Sequence, residues 1–95
     1  MGFICMDKEL ERWDAMTVGM YMQTLVLALT ERRLSTCLEV SLVGYEEIVR
    51  EELGIPAGLM VLCGVAVGYA DPEASVNNVK PGRVDFHEHV VFRTE

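Results

Sequence analysis

Positive charge and paired cysteines are both scarce in this sequence. Eight lysines and arginines stand against fifteen acidic residues, which gives a formal net charge of −7. Because an acidic chain repels phosphate backbones, this composition argues against nucleic-acid binding. Cys5, Cys37 and Cys63 are an odd number with no Cys-x-x-Cys spacing. That pattern favours reduced thiols in a cytoplasmic protein over a disulfide framework.

Long apolar runs and metal-ligand clusters are also lacking. No run is long enough to span a bilayer, and the N-terminal segment has neither the basic region nor the apolar core of a signal peptide. We therefore expect no membrane partner. His87 and His89 are fewer ligands than a zinc site needs, so we interpret them as surface or interface residues. No nucleophile is paired with a readable base, and no catalytic residue is predicted.

What the sequence does have is apolar surface in a short chain. Hydrophobic residues make up 51% of its 95 residues, and the mean hydropathy is +0.22. A chain of this length forms at most one domain and buries a smaller fraction of its surface than a larger one. Part of the apolar surface is therefore expected to meet a partner.

The spacing of the apolar residues predicts a helix from Asp14 to Arg33. Apolar residues recur at helical spacing along one face, and others fill the remaining sides, so the helix is expected to be buried on most faces. We predict that it lies at an interface with a second subunit or with further protein. The stretch Glu31–Ser41 has no helical rhythm and is predicted to be a loop leading to a second helix, Gly44–Leu53, which Gly54 terminates.

Strands are predicted in the second half of the chain. The continuous apolar run Leu59–Tyr69 favours a strand buried on both faces. An irregular segment, Ala70–Val84, follows, and a last strand is predicted over Glu88–Arg93, where His87 and His89 would share one face. At the N-terminus, Phe3, Ile4 and Met6 fit either an edge strand or the tail of one.

Several segments, in this order, resemble one family. They are Thr36-Cys37-Leu38-Glu39, the run from Cys63 through Gly68-Tyr69-Ala70-Asp71-Pro72 to Ala74, Val76-Asn77, and Arg83. Together they resemble the C-terminal half of the FMN-dependent nitroreductases, over a stretch from about Trp13 to Phe92.

The resemblance implies an α+β fold, with two helices packed on strands of an incomplete mixed sheet. It also implies a homodimer that binds FMN and transfers hydride from NADH or NADPH to nitroaromatic or quinone-like acceptors. Arg83, helped by Lys80, would pair with the FMN phosphate, a contact that suits a guanidinium. Four consecutive residues would lie along the flavin, with a backbone N–H near its N5 atom: Leu38, Glu39, Val40 and Ser41.

Two features depart from the family pattern. Leu38 stands in place of the usual proline and Glu39 in place of the usual glutamine, and a carboxylate facing the ring would disfavour an anionic reduced flavin. The N-terminal half of the family pattern is absent. We therefore expect residues 1–95 to be the C-terminal part of a nitroreductase-like domain. The alternative is a non-catalytic dimerisation or interaction module derived from the same fold.

Overall fold

Three strands and two helices form the fold in the computed structural model, which describes residues 1–94. The strands are β1 (Gly2–Asp7), β2 (Ser35–Glu39) and β3 (Leu59–Gly68), and the helices are α1 (Arg12–Glu31) and α2 (Glu46–Leu53). Short 3-10 turns span Val40–Tyr45, Ser75–Asn78 and Phe86–Glu88. The expected α+β class is confirmed. Glu95, the end of the predicted 1–95 domain, lies outside the described residues.

The long apolar run forms the centre of the sheet. The strand order is β1-β3-β2, and Val61, Cys63 and Val65 of β3 are among the few buried apolar residues. The predicted strand is therefore confirmed, and β1 is an edge strand. Those three residues share one face of β3, whereas Leu62 and Ala66 on the other face are only half-buried, so the predicted burial on both faces is not found within residues 1–94. Both strand pairs are antiparallel, where a mixed sheet was expected.

The loop predicted over Glu31–Ser41 is wrong for most of its length. Ser35–Glu39 is strand β2, in which Thr36 pairs with Val67 and Leu38 pairs with Val65 of β3. A five-residue strand is too short to show clear alternation, and its partner lies far along the chain. Local pattern alone therefore could not identify it.

Helix α1 begins and ends two residues earlier than predicted. The Asp14 carboxylate accepts a hydrogen bond from the N–H of Glu11 at 2.9 Å, and Arg33 adopts a left-handed conformation (φ 61°) just past the end. Met22 marks the side that faces the sheet, since its Sδ lies 3.5 Å from Sγ of Cys63. Neither helix of residues 1–94 is long and apolar enough to cross a membrane.

The expected burial of α1 on most faces is not found within this chain. The helix has no buried residue, and Met16 and Met20 are 71% and 64% exposed. The physical reason is that a three-stranded sheet covers only one side of the helix. The apolar residues on its other sides face outward.

The predicted strand over Glu88–Arg93 is also wrong. Phe86–Glu88 forms a 3-10 turn, and residues 89–94 form neither helix nor strand. The β-branched composition favours a strand, but a strand needs a neighbour, and residues 1–94 provide none here. His87 and His89 therefore share no strand face; each lies edge-on to the Phe86 ring, with ring centroids 5.8 Å apart. The irregular segment Ala70–Val84 is confirmed, apart from the short turn Ser75–Asn78.

Helix α2 is attached to the sheet by one arginine. Gly54 ends the helix in the left-handed conformation (φ 62°), as predicted. The Arg50 guanidinium donates to the carbonyl oxygens of Ile55 (3.3 Å), Pro56 (2.7 Å) and Leu59 (2.6 Å). It also pairs with the Glu46 carboxylate. This cluster joins α2, the turn after it and the start of β3.

We expect Glu46 to make the folded state sensitive to acid. The hydrogen bond from Arg50, followed by that from the Val61 N–H, holds the pKa of the Glu46 carboxyl below its usual range. A carboxyl with a lowered pKa stabilises the folded state above its unfolded-state pKa, near pH 4.3, and this stabilisation is lost as the pH falls through the lower folded-state value. Glu46→Gln should therefore reduce the loss of stability below about pH 4. Urea unfolding followed by circular dichroism at several pH values measures this.

The matched control is Glu47→Gln, in the same turn of α2 but exposed. It should retain the acid-dependent loss of the unmodified chain. If the unmodified chain and Glu46→Gln lose the same free energy of unfolding below about pH 4, Glu46 is not the group responsible for the acid sensitivity.

Candidate functional site

The four residues predicted to lie along a flavin form one continuous segment. Leu38 and Glu39 end strand β2, and Val40 and Ser41 begin the following 3-10 turn. We call Leu38–Ser41 the junction segment. It lies at the edge of the sheet, where Leu38 is 44% and Val40 66% exposed. Because the first N–H groups of a helical turn have no acceptor within that turn, this segment offers backbone donors to a ligand.

The junction segment lies against the central strand. Glu39 is directly opposite Gly64 of β3, and the Leu42 side chain, one residue beyond the segment, folds back over that glycine. Two contacts with β3 therefore fix the position of the segment. The sheet pairing and the close packing over Gly64 together make it a rigid part of an otherwise open edge.

Glu39 interacts with its neighbour on the same strand face. A hydrogen bond with the Glu39 carboxylate, and then its negative charge, raise the pKa of the Cys37 thiol. A raised pKa disfavours the thiolate, which is the nucleophilic form of cysteine. The Glu39 carboxylate therefore lies beside Cys37 and does not activate its thiol.

The two predicted phosphate ligands lie in an exposed loop. Arg83 donates to the carbonyl oxygens of Pro81 and Gly82, both at 3.1 Å. Within residues 1–94, neither Lys80 nor Arg83 forms an ion pair, and no hydrogen bond joins Arg83 to the junction segment. Over the part of the chain that it describes, the structure therefore places the four residues of the junction segment together, and no hydrogen bond or ion pair joins Lys80 or Arg83 to them.

The start of the same loop does reach β2. Asn77 donates from its side-chain amide to the carbonyl oxygen of Asp71 at 2.8 Å. It lines an open cleft of about 300 Å³ at the end of the sheet. Sequence reasoning missed this cleft because it treated β2 as a loop. The cleft is lined by Ser35, Thr36, Cys37, Ala66, Val67, Gly68, Tyr69, Ala70 and Asn77.

The sequence match covers the part of the chain that builds the sheet and the junction segment. A model of the nitroreductase family matches residues 6–69, from within β1 to just past the end of β3. This chain belongs to the nitroreductase family. The predicted family is thereby confirmed. The residues matched in this nitroreductase chain include the end of β1, both helices, β2, the junction segment and β3.

Individual relatives agree with the family match. Over 77 residues the nitroreductase chain is 32% identical to a 4-nitrobenzoate reductase of Pseudomonas putida, covering 81% of this chain and 34% of that protein. Over 75 residues it is 39% identical to the nitroreductase NfnB of Mycolicibacterium smegmatis, covering 79% of this chain and 32% of the relative. The chain thus spans about a third of the length of these relatives.

Solved structures show the same fold. The FMN-dependent nitroreductase NfnB from Mycobacterium smegmatis, in complex with NADPH, superposes with a TM-score of 0.90 at 34% identity, over 97% of this chain and 41% of that one. The FMN and NADPH-dependent NfnB from a Sphigopyxis strain gives a TM-score of 0.92 at 29% identity, over 98% of this chain and 42% of that one. Nearly every element of this nitroreductase chain therefore has a counterpart in both.

Proposed function

We propose that this chain acts as part of an FMN-dependent oxidoreductase. It would pass hydride from NADH or NADPH to a nitroaromatic or quinone-like acceptor. The proposal draws on its structural relatives, which are nitroreductases described as FMN-dependent and as using or binding NADPH. The observation that carries it is the junction segment, an exposed stretch of backbone donors fixed against the sheet at the positions that the resemblance assigns to the flavin.

The chemistry of the junction segment fits an aromatic ring with hydrogen-bond acceptors. Leu38 and Val40 offer apolar contact, and the N–H groups at the start of the 3-10 turn offer donors. When bound, FMN would supply the hydride acceptor and donor of the reaction, while the protein orients it and tunes its electronics. Val40 and Ser41 would donate to the ring, and the pairing of β2 with β3 would keep them in place.

Lys80 and Arg83 would hold the phosphate of FMN. Both are exposed, and within residues 1–94 the Arg83 guanidinium bonds only to carbonyl oxygens of its own loop. Those neutral contacts leave its charge uncompensated, so an anionic group would be a stronger partner. To bind FMN, the loop that carries Lys80 and Arg83 would have to move towards the junction segment. Alternatively, it would meet FMN bound to a second subunit.

A homodimer is part of the proposal, since the chain exposes too much surface for a monomer. Its accessible area is 8122 Å², whereas a globular monomer of this mass exposes about 5,500 Å². The radius of gyration is 16.9 Å, against about 12 Å for a compact domain of this length. The excess area is within the range that obligate interfaces bury. It includes the exposed side chains of Met16, Met20, Leu27, Phe86, Val91 and Phe92.

FMN titration tests the proposed function directly. We expect added FMN to lose fluorescence on binding and to be released on denaturation, with riboflavin, which lacks the phosphate, binding more weakly. Sedimentation velocity in the same buffer should give a dimer. Addition of NADPH without oxygen should bleach the bound flavin. Absence of FMN binding by a folded chain would contradict the proposal.

The excess surface also supports a second candidate function. Only Met6, Val61, Cys63 and Val65 are buried apolar residues, so the described chain has little core of its own. A non-catalytic dimerisation module would use this surface without any flavin. Suppose that sedimentation shows a stable dimer and that the protein binds no FMN and gains no flavin absorbance when FMN is added. This result would favour the dimerisation module over the oxidoreductase.

A further inference from the structure

Gly64 occupies the space beneath the junction segment. It is buried in β3, directly opposite Phe3 of β1 and Glu39 of β2. A Cβ atom added to Gly64 would lie 2.7 Å from Cδ1 of Leu42 and 3.3 Å from Cβ of Glu39. Directly opposite residues of a sheet ordinarily keep their Cβ atoms about 4.5–5.5 Å apart. The end of β2 and the following turn therefore lie closer to β3 at Gly64 than they ordinarily lie to a residue with a side chain.

We propose that Gly64 is a positioning residue for the junction segment. Its missing side chain lets Glu39 and Leu42 lie close to β3, and this closeness sets where the N–H groups of Val40 and Ser41 lie. The inference rests on the proposed function, because those N–H groups are the ones that would meet the flavin. Gly64 itself would touch no cofactor.

The two close contacts differ in how they can be relieved. The Leu42 atom is the end of a flexible side chain and can rotate away. The Glu39 atom is a Cβ, attached directly to the strand backbone, so relief of this contact calls for a displacement of the backbone at the end of β2 by a few tenths of an ångström. Because Val40 and Ser41 follow Glu39 directly, their N–H groups move with it. A hydrogen bond weakens as its geometry departs from the preferred distance and angle.

The test compares Gly64→Ala with the double variant Gly64→Ala/Leu42→Ala. We expect Gly64→Ala to shift the backbone amide NMR signals of Val40 and Ser41 in the flavin-free chain. FMN affinity should fall about threefold to tenfold, the loss of one ordinary hydrogen bond. The double variant removes the 2.7 Å contact but keeps the 3.3 Å contact with Glu39. The shifted amide signals and the weakened FMN affinity should therefore persist in it.

Gly2→Ala is the matched control. Gly2 lies in the same sheet, opposite Val65 of β3, and a Cβ atom there would meet nothing within 4 Å. This variant should leave both the Val40 and Ser41 signals and the FMN affinity as they are in the unmodified chain.

The outcomes separate this inference from the function on which it rests. Shifted Val40 and Ser41 signals in a chain that binds no FMN would support the positioning role while contradicting the proposed function. Unshifted signals in Gly64→Ala, or a double variant that regains normal FMN affinity, would overturn the positioning role. If neither variant folds, Gly64 is a requirement of folding, and the inference is likewise overturned.

Discussion

Arg83→Ala is expected to weaken FMN binding by about one to two orders of magnitude, because a charge-assisted hydrogen bond is worth roughly 1.5–3 kcal/mol. The guanidinium is exposed, and among the residues that the structure describes it bonds only to the carbonyl oxygens of Pro81 and Gly82. It is therefore free to exchange two neutral contacts for a phosphate. The fold should be unaffected, since the side chain contributes nothing to the core. Titration of FMN followed by flavin fluorescence measures the change.

Three comparisons sharpen the Arg83 prediction. Arg83→Lys should recover only part of the affinity, because lysine keeps the charge without the two-pronged geometry. Riboflavin affinity should be the same in Arg83→Ala as in the unmodified chain, since riboflavin has no phosphate. Arg12→Ala makes the same charge change at an exposed position and should leave FMN affinity within about twofold, as expected for a distant, screened charge. Unchanged FMN affinity in Arg83→Ala would remove Arg83 from the phosphate site.

Arg50→Ala is expected to lower the free energy of unfolding by about 2–3 kcal/mol, as estimated from the loss of several hydrogen bonds made by one charged donor. The guanidinium is only 21% exposed and pairs with Glu46. It also satisfies the carbonyl oxygens of Ile55, Pro56 and Leu59. Its removal takes one donor from each of those carbonyl groups and from the carboxylate, although Pro56 keeps the N–H of Leu59 and Glu46 keeps that of Val61. Urea unfolding at fixed protein concentration measures the change, since association alters apparent stability.

Arg32→Ala is the matched control for Arg50→Ala. The Arg32 side chain is 69% exposed and lies 4.0 Å from Glu31, so its removal should change stability by less than about 0.5 kcal/mol. The loss of stability in Arg50→Lys should lie between those of Arg50→Ala and Arg32→Ala, because an ammonium group cannot reach all of the acceptors that the guanidinium reaches. Equal stability of Arg50→Ala and Arg32→Ala would show that the cluster around Arg50 does not hold α2 to the sheet.

The parts of the fold that depend on local pattern were predictable from the sequence. Helix α1 follows from apolar residues at helical spacing, the end of α2 from Gly54, and β3 from a continuous apolar run. Each of these signals lies within the element itself. The bounds shifted by only one or two residues at most ends, because capping interactions such as that of Asp14 decide where a helix begins.

The parts that depend on distant partners were not predictable. Ser35–Glu39 forms a strand because it pairs with Gly64–Gly68 of β3. Its own five residues contain no pattern that predicts this pairing. The opposite error affects Glu88–Arg93, which has strand composition but no neighbouring strand within residues 1–94. In both cases the hydrogen-bonding partner, rather than intrinsic preference, decides the outcome.

The candidate site follows the same division. The junction segment consists of four consecutive residues, Leu38–Ser41. Their closeness in space therefore follows from the sequence itself. Arg83 must cross from a separate loop, and its place beside the junction segment stays a prediction. The cleft that Asn77 lines was not predicted, because it requires knowledge of which strands are neighbours. Gly64 within an apolar strand does indicate a close backbone approach or a bend, but which strand approaches it could not be predicted from the sequence.

The β1-β3-β2 order has a consequence for synthesis of the chain. The central strand is the third of the three in sequence, so neither β1 nor β2 can pair until Leu59–Gly68 has been made. Helix α1 relies on local hydrogen bonds and can form earlier. While the ribosome adds the intervening residues, two unpaired strands and an apolar helix are exposed together. Such a nascent chain is prone to aggregation, and we expect its yield to depend on chaperones that bind apolar segments as they emerge.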